Sequence, residues 1–532
     1  MRLFIVLLLA GAALAQTPDP GNRNKPDRLE WFRDQGFGMF IHWSLDSQIG
    51  TIISHSMVGA SEDYLTRFFQ LPKTFNPRKF NAQEMAVLAK LAGMKYVVFT
   101  TKHHSGFCMF KTATTDFNIM NTPFHRDITG ELLDAFREQG VAPGIYFSPD
   151  DFSWLYRNHI ELQRHVPEVQ PRSNPGLMKL DQDQIRELFT NYGKLDVVFF
   201  DGEAEGLRDL AWKLQPDVVV TRGAIQTPEQ YVPGMPLEGP WEANLTIGTA
   251  WQYQPQNETY KTGGQCISLL VETRAKGGNL LLDVGPKPDG ELPIEQEERL
   301  REIALWMFVN QEAIYATRPW ILTNEGGIWF TKKKNEDTLY AVVKEKEPWK
   351  RGTWKELVLK SVRATPQTEV SVLGQNDRVF EYSKEVPKST WKQEADGLHV
   401  RAMHAQRLAD MNKWPNPVVV KLTHVKPALV PPRIETTRAT LSSGGATLEA
   451  NLRDMGQTPA LEVGFEYRDV TGMDTEERTR PWIATPLVRR QAAGVFSAQV
   501  PGLSAGHVYE YRAVVKHPLI TLYGGEKKLT VK

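Results

Sequence analysis

The strongest constraint on how this chain folds is an alternation that runs from residue 30 to residue 315. Short, continuously apolar runs at 38–42, 96–100, 143–147, 196–200, 217–221, 246–250 and 279–283 are separated by amphipathic stretches. Helical periodicity is clear at 82–92, 128–139 and 183–192, and 294–315 reads as one long closing helix. Strands that are apolar on both faces, each followed by a helix, predict an α/β fold with a parallel sheet and right-handed crossovers. Seven such runs over this length fit a (β/α)8-like barrel with one strand missed or irregular. The structural competitor, an open doubly wound sheet, would be favoured by GxGxxG after the first strand, and that motif is absent.

After residue 318 the texture changes. Short alternating strands such as 338–343 and 356–359, with turn signals such as Asp396-Gly397, predict a β-sandwich over 319–428. Pro427, Pro431 and Pro432 mark a second boundary. Beyond it 446–451, 463–467 and 508–514 alternate cleanly, so 429–532 reads as a fibronectin type III-like β-domain. The catalytic barrel is assigned to 16–318. Residues 1–15 begin with Met1-Arg2, continue through an apolar run at 3–9 and end in Ala13-Leu14-Ala15. That is the pattern of a signal peptide cleaved near Ala15, and it predicts a secreted or periplasmic protein. No run approaches the roughly 20 apolar residues of a membrane span.

Charge and cysteine content narrow the function. The 63 Lys+Arg balance the 63 Asp+Glu, which leaves no general electrostatic footprint for nucleic acid or anionic membrane. Two cysteines, Cys108 and Cys266, exclude a disulfide scaffold and a Cys-based zinc site.

In a barrel of this kind, chemistry sits at the C-terminal ends of the strands. The first candidate strand ends in His42-Trp43, the second in Lys102-His103-His104, the third in Tyr146-Phe147-Ser148 and the fourth in Asp201-Gly202-Glu203. The fifth ends in Arg222, with Glu229 in the loop behind it, and the sixth runs into Trp251 and Tyr253. Metal catalysis from His42, His103, His104 and a carboxylate is disfavoured, because adjacent histidines on a strand point to opposite sides unless the strand breaks there. No metal and no cofactor is expected. GxSxG is absent, which argues against a serine nucleophile. Two carboxyl groups amid hydrogen-bonding and stacking side chains suit glycoside hydrolysis. Asp201 is the first of them, its alternative role being a cap on the following helix. For the second carboxyl, spacing does not choose between Glu229 and other candidates.

Several segments carry a resemblance. They are 37–43 (Phe-Gly-Met-Phe-Ile-His-Trp), 92–96 (Ala-Gly-Met-Lys-Tyr), 101–107 (Thr-Lys-His-His-Ser-Gly-Phe), 197–202 (Val-Val-Phe-Phe-Asp-Gly), 227–230 (Thr-Pro-Glu-Gln), 240–242 (Pro-Trp-Glu) and 279–286 (Asn-Leu-Leu-Leu-Asp-Val-Gly-Pro). In this order they resemble glycoside hydrolase family 29, the α-L-fucosidases. The resemblance implies a (β/α)8-like barrel followed by a β-sandwich, and a retaining exo-enzyme that releases terminal α-L-fucose from glycans without a metal. It implies Asp201 as nucleophile and Glu229 as acid/base, with Glu242 as the fallback. It also implies His42, His103 and His104 as sugar-binding residues, joined by Tyr146 and Arg222. Trp251 or another aromatic would pack on the methyl edge of the sugar.

The chain departs from the family pattern at several places. His-His-Asp-Gly reads His103-His104-Ser105-Gly106. The Glu-Trp of the loop after the first strand is replaced around Ser54-His55-Ser56-Met57, where His55 is placed to take over a hydroxyl contact. A tryptophan two positions before the nucleophile is Phe199, and Ser-Trp-Gly-Tyr reads Ala250-Trp251-Gln252-Tyr253. These changes keep two alternatives in view: an exo-glycosidase for another sugar such as galactose, and a secreted glycan-binding protein without turnover.

Overall fold

The computed structural model describes residues 21–531 except 165, 257, 345–346, 348, 377–387, 406–415, 443, 472–480 and 519–520. The expected signal peptide lies outside the described residues. Seven strands form one parallel sheet: β1 (Phe37–Ile41), β2 (Tyr96–Lys102), β3 (Gly144–Phe147), β4 (Val197–Phe200), β5 (Val219–Val220), β6 (Glu242–Thr246) and β7 (Asn279–Val284). Their spatial order is β5-β4-β3-β2-β1-β7-β6, and every residue in them is buried. That explains the unbroken apolar runs, since helices on the outside and side chains on the inside cover both faces.

The sheet curls as a half-barrel until its two edges nearly meet. Residues 226–230, which follow the β5 edge, run parallel to β6 at the other edge. Gln226 pairs with Trp241 and Glu229 with Asn244, and the Gln230 amide donates to the Asn244 carbonyl at 2.9 Å. This bridged segment carries Glu229.

The helices that cover the sheet are α1 (Pro26–Gln35), α2 (Glu62–Phe68), α3 (Ala82–Leu91), α4 (Ile128–Glu138), α5 (Phe152–Arg157), α6 (Pro175–Asn191), α7 (Leu207–Leu214), α8 (Gly263–Ala275) and α9 (Ile294–Asn310). Side-chain caps start several of them. Asn81, Asp127 and Asp151 each accept the amide three residues on, and Thr262 with Gln265 forms a reciprocal capping box on α8.

Two sequence expectations are corrected here. The sixth strand is Glu242–Thr246, not 246–250, of which 247–250 form bends. The run 246–250 carries the better strand formers, but Glu242 and Asn244 find partners in Tyr96 and the 226–230 segment. Tertiary context overrides propensity. The closing helix ends at Asn310, followed by a single 3-10 turn at Gln311–Ala313.

Beyond the helical part the chain is antiparallel. The strands β8 (Thr317–Glu325), β9 (Ile328–Lys333), β10 (Leu339–Val343), β11 (Trp354–Leu359), β12 (Val362–Arg363), β13 (Glu369–Val372), β14 (Thr390–Glu394), β15 (Gly397–Met403), β16 (Val418–Thr423) and β17 (Lys426–Pro427) come first. They form a five-stranded sheet, β13-β16-β10-β9-β8, a three-stranded sheet, β11-β15-β14, and the pair β12-β17. Phe330, Leu339, Leu359, Leu398, Val400 and Val420 fill the space between them. A last set follows: β18 (Arg433–Ser442), β19 (Gly445–Asp454), β20 (Leu461–Asp469), β21 (Ile483–Ala484), β22 (Val488–Arg490), β23 (Gly494–Pro501), β24 (Val508–Lys516), β25 (Thr521–Tyr523) and β26 (Lys527–Thr530). Its sheets β18-β19-β23 and β21-β20-β24-β25, the latter joined by β22 and β26, share a separate core around Leu448, Val463, Phe465 and Ala513.

Candidate active site

The polar residues that end the parallel strands converge on one small pocket of about 80 Å³. Its walls include His42, His55, His103, Tyr146, Arg164, Asp201, Arg222, Glu229 and Trp251, with Phe40, Ile53, Phe199 and Asn244. Of the sequence-derived site residues, two lie outside these walls. His104 sits immediately behind them, and Glu242 is elsewhere.

Asp201 follows β4 and faces the cavity. It does not cap a helix, because α7 starts at Leu207 with Gly206 at its N-cap. Tyr146 donates its hydroxyl to Asp201 Oδ2 at 2.6 Å, and Arg222 Nη1 donates to Oδ1 at 3.1 Å. His104 Nε2 lies 3.4 Å from Oδ2, and Arg164 Nη2 lies 3.6 Å from Oδ1. Burial alone would raise this carboxyl's pKa. The His104 contact and the Arg222 and Arg164 charges outweigh burial and hold it well below the usual carboxylate range. Burial and the Asp201 charge push the Tyr146 phenol upward, so it remains a donor.

Glu229 is the second carboxylate. Arg222 Nη2 donates to its Oε2 at 2.8 Å, so one guanidinium spans both acids. Arg222 is fixed in turn by Nε donating to Thr227 Oγ1 at 3.1 Å, and it lies 4.5 Å above the Phe199 ring. Glu242 is different. It opens β6, is fully buried, and accepts the Tyr96 hydroxyl at 2.5 Å. Burial pushes its pKa up to about 7.

The histidines are held from behind. His42 Nδ1 lies 2.7 Å from Asp283 Oδ1, His103 Nδ1 2.9 Å from Ser54 Oγ, and His104 Nδ1 2.6 Å from Ser148 Oγ. Each ring thereby turns its Nε2 edge away from its anchor. Burial lowers the His42 pKa to about 3 and that of His55 to about 4, and it takes His103 well below its ordinary value, so these three are neutral. His103 stacks parallel to Tyr146 at 5.3 Å, and Trp251 lies 4.8 Å from His42.

The strand breaks before His103 and His104, because β2 ends at Lys102 and the backbone turns there, so the two need not point to opposite sides. Their rings are 4.2 Å apart. Together with Asp201 they bring potential metal-ligand atoms within 4.8 Å of one another. The donor set suits a cation poorly, since two guanidinium groups already face the carboxylate. Beneath the turn, Lys102 is completely buried and pairs with Asp181 at 2.7 Å and Asp151 at 3.4 Å. Gly106, at φ +82°, leaves room for Asp151, which a Cβ there would meet at 2.1 Å.

Sequence reasoning missed Arg164, Ser54 and Asp283 as parts of this site. Arg164 lies in an irregular loop with no periodicity to mark it, yet its Nε donates to Asp150 Oδ2 at 2.5 Å and its Nη2 to the Asp201 carbonyl at 3.2 Å. Ser54 adopts φ +58°, a costly conformation for a residue with a side chain. Its amide donates to Asp46 Oδ2 at 2.7 Å and its Oγ accepts from the Ser105 amide at 2.9 Å. That strained turn ties the loop after β1 to the histidine loop and sets the ring of His55 5.1 Å from His104. The signal for Ser54 was its position in the divergent 54–57 segment.

Comparison with known proteins agrees with this architecture. Residues 10–312, more than half of the chain, match the family described as Alpha-L-fucosidase. A putative alpha-L-fucosidase of Caenorhabditis elegans is 31% identical over 431 residues, covering 70% of this chain and 88% of that protein. The plasma alpha-L-fucosidase of Rattus norvegicus is 29% identical, with 64% of this chain and 84% of that protein covered. The solved structure of alpha-L-fucosidase isoenzyme 1 from Paenibacillus thiaminolyticus superposes with a TM-score of 0.58 at 29% identity, covering 74% of this chain and 98% of that one. A parallel half-barrel with a two-carboxylate pocket at its strand ends, matched over this length, makes the chain a member of the alpha-L-fucosidase family and a glycoside hydrolase.

Proposed function

We propose that the protein is a secreted, retaining exo-α-L-fucosidase that removes terminal fucose from glycans by double displacement. The observation that carries this reading is the Arg222 bridge. It leaves Asp201 ionised in a pocket that takes one terminal sugar, and it keeps Glu229 on the same guanidinium. Carboxyl groups that share one side chain suit the spacing of about 5–5.5 Å typical of retaining enzymes better than the ~6.5–9.5 Å of inverting ones. In the first step Glu229 protonates the departing oxygen while Asp201 attacks C1. In the second, Glu229 takes a proton from water, which cleaves the glycosyl ester with net retention. His42, His103 and His55 present ring edges to the sugar hydroxyls, while His104, behind the walls, supports Asp201. Phe40, Phe199 and Trp251 form an apolar wall that suits the C6 methyl of fucose better than the hydroxymethyl of galactose.

The same reading takes 16–318 as a catalytic (β/α)8-like barrel, with residues 226–230 in place of one strand. It takes 319–428 as a β-sandwich and 429–532 as a fibronectin type III-like module, supported by the two facing antiparallel sheets of each. Export rests on residues 1–15 and is in keeping with a relative named as a plasma enzyme.

The test is the anomer first formed from an aryl α-L-fucoside, followed by NMR beside the matching β-D-galactoside. Release of α-L-fucose and little galactoside turnover are expected. β-L-Fucose would overturn retention, and faster galactoside cleavage would overturn the sugar assignment.

Glu242 gives a separate check. Its carboxyl is raised from an ordinary 4.5 to about 7, so the folded chain holds a proton that the unfolded chain has released. That contribution favours the fold at acid pH and is lost as pH rises through about 7. Glutamine mimics the protonated form. Glu242→Gln should therefore keep turnover within about threefold, leave the melting temperature unchanged in acid, and raise it by roughly 2–4 °C per kcal/mol recovered at mildly alkaline pH. A collapse of turnover would instead make Glu242 the acid/base.

A further inference from the structure

The last β-domain touches the catalytic unit at a place that matters for chemistry. Strand β24 should present one row of side chains to its own core and the other to water. Its core row includes Tyr511, Ala513 and Val515. The opposite row is equally buried: Glu510 is 3% exposed, Arg512 8% and Val514 2%. On that outer face Arg468 pairs with Glu510 at 2.8 Å, and Arg512 pairs with Glu466 at 2.7 Å and Glu526 at 3.0 Å. The Trp482 ring lies 4.4 Å from the Arg468 guanidinium and 4.1 Å from that of Arg512.

Gly234 of the barrel comes up against this lattice. A Cβ on it would meet Arg512 Nη1 at 2.7 Å and Glu526 Oε1 at 2.8 Å. Its φ is not left-handed, so the glycine is required by close approach and not by the backbone. Gly234 lies five positions after Glu229, in a stretch, 231–240, that has no regular secondary structure. On the barrel side the same stretch is held by Lys276, whose Nζ donates to the Pro233 carbonyl at 2.6 Å.

We propose that the C-terminal domain, through Arg512 and Glu526, is a positioning element for the loop that carries Glu229, and so for proton delivery to the leaving group. The proposal rests on the acid/base reading of Glu229. Four to five residues downstream of Glu229 the loop is hydrogen-bonded by Lys276 on one side and closely approached by Arg512 and Glu526 on the other, and the second contact belongs to a domain that lines no part of the pocket.

Leaving-group dependence tests this. Protonation matters for an alkyl or sugar leaving group and little for an activated nitrophenolate, whereas general damage affects both alike. Glu526→Ala loosens the grip from the domain side and leaves Arg512 paired with Glu466. Gly234→Leu wedges it from the barrel side, pushing Arg512 and Glu526 away while leaving the domain's own sequence unchanged. Both variants should lose about tenfold in kcat/KM on an alkyl α-L-fucoside while staying within about twofold on the nitrophenyl fucoside. Glu229→Gln, measured alongside, should show the same split more strongly. If it does while neither positional variant changes the ratio, or if both lose equally on both substrates, the positioning role is wrong and the acid/base assignment stands. If Glu229→Gln shows no split, the acid/base assignment itself falls.

Discussion

Asp201→Asn should lower fucoside turnover by about four orders of magnitude or more while leaving the fold intact, because under the proposed double displacement it removes the nucleophile and nothing that supports the pocket. Asparagine fills the same volume and still accepts the Tyr146 hydroxyl through its carbonyl. Arg222 keeps its bond to Glu229 at 2.8 Å and Arg164 its bond to Asp150, so neither guanidinium is stranded. What is lost is a carboxylate that burial opposes but His104, Arg222 and Arg164 keep ionised. An amide in the same place cannot form the glycosyl ester. The shorter variant, Asp201→Gly, opens space on the nucleophile's side of the sugar. Azide should enter there, displace the aglycone directly, and give the inverted β-fucosyl azide from an activated fucoside. Asp201→Asn retaining more than about a tenth of wild-type turnover would remove Asp201 from this role.

Asp201 was legible in the sequence for a physical reason. In a sheet buried on both faces the only polar positions are those where a strand leaves the core, so each apolar run punctuates itself with a side chain that faces the barrel mouth. His42, His103, His104 and Arg222 were found in the same way. The rule stops working where a strand is irregular. Residues 226–230 occupy a strand's place without a strand's apolar pattern, because Arg222 and Asn244 supply partners that an isolated segment would lack. Glu229 therefore looked like one loop glutamate among several. Glu242 was ambiguous for the converse reason: it is a charged residue inside a true strand, tolerated by the Tyr96 hydroxyl, and the register of β6 was read four residues late on its account. Arg164 and Ser54 had no periodicity to betray them. Arg164 reaches the pocket and Ser54 the back of His103 from loops whose course depends on what they pack against, Asp150 for one and Asp46 for the other.

Glu229→Gln should cost about 10²–10⁴ on an alkyl or sugar leaving group and far less in the first step on an activated one, and the pattern of rescue should differ from that of Asp201. Glu229 sits at the rim, its side chain about one-third exposed, where a leaving group and then a water can reach it. Glutamine keeps the bond from Arg222 Nη2 to a carbonyl oxygen but cannot give or take a proton. With an activated fucoside the ester to Asp201 still forms, and it then waits for a water that no base assists. Azide, which needs no base, should intercept the ester and restore turnover. Because that attack follows a first inversion at Asp201, the product is α-fucosyl azide. Asp201→Gly gives the β anomer by a single displacement. Opposite anomers from two variants at one pocket leave only one assignment of nucleophile and acid/base. The same anomer from both would mean that the two carboxylates spanned by Arg222 do not divide the work in this way.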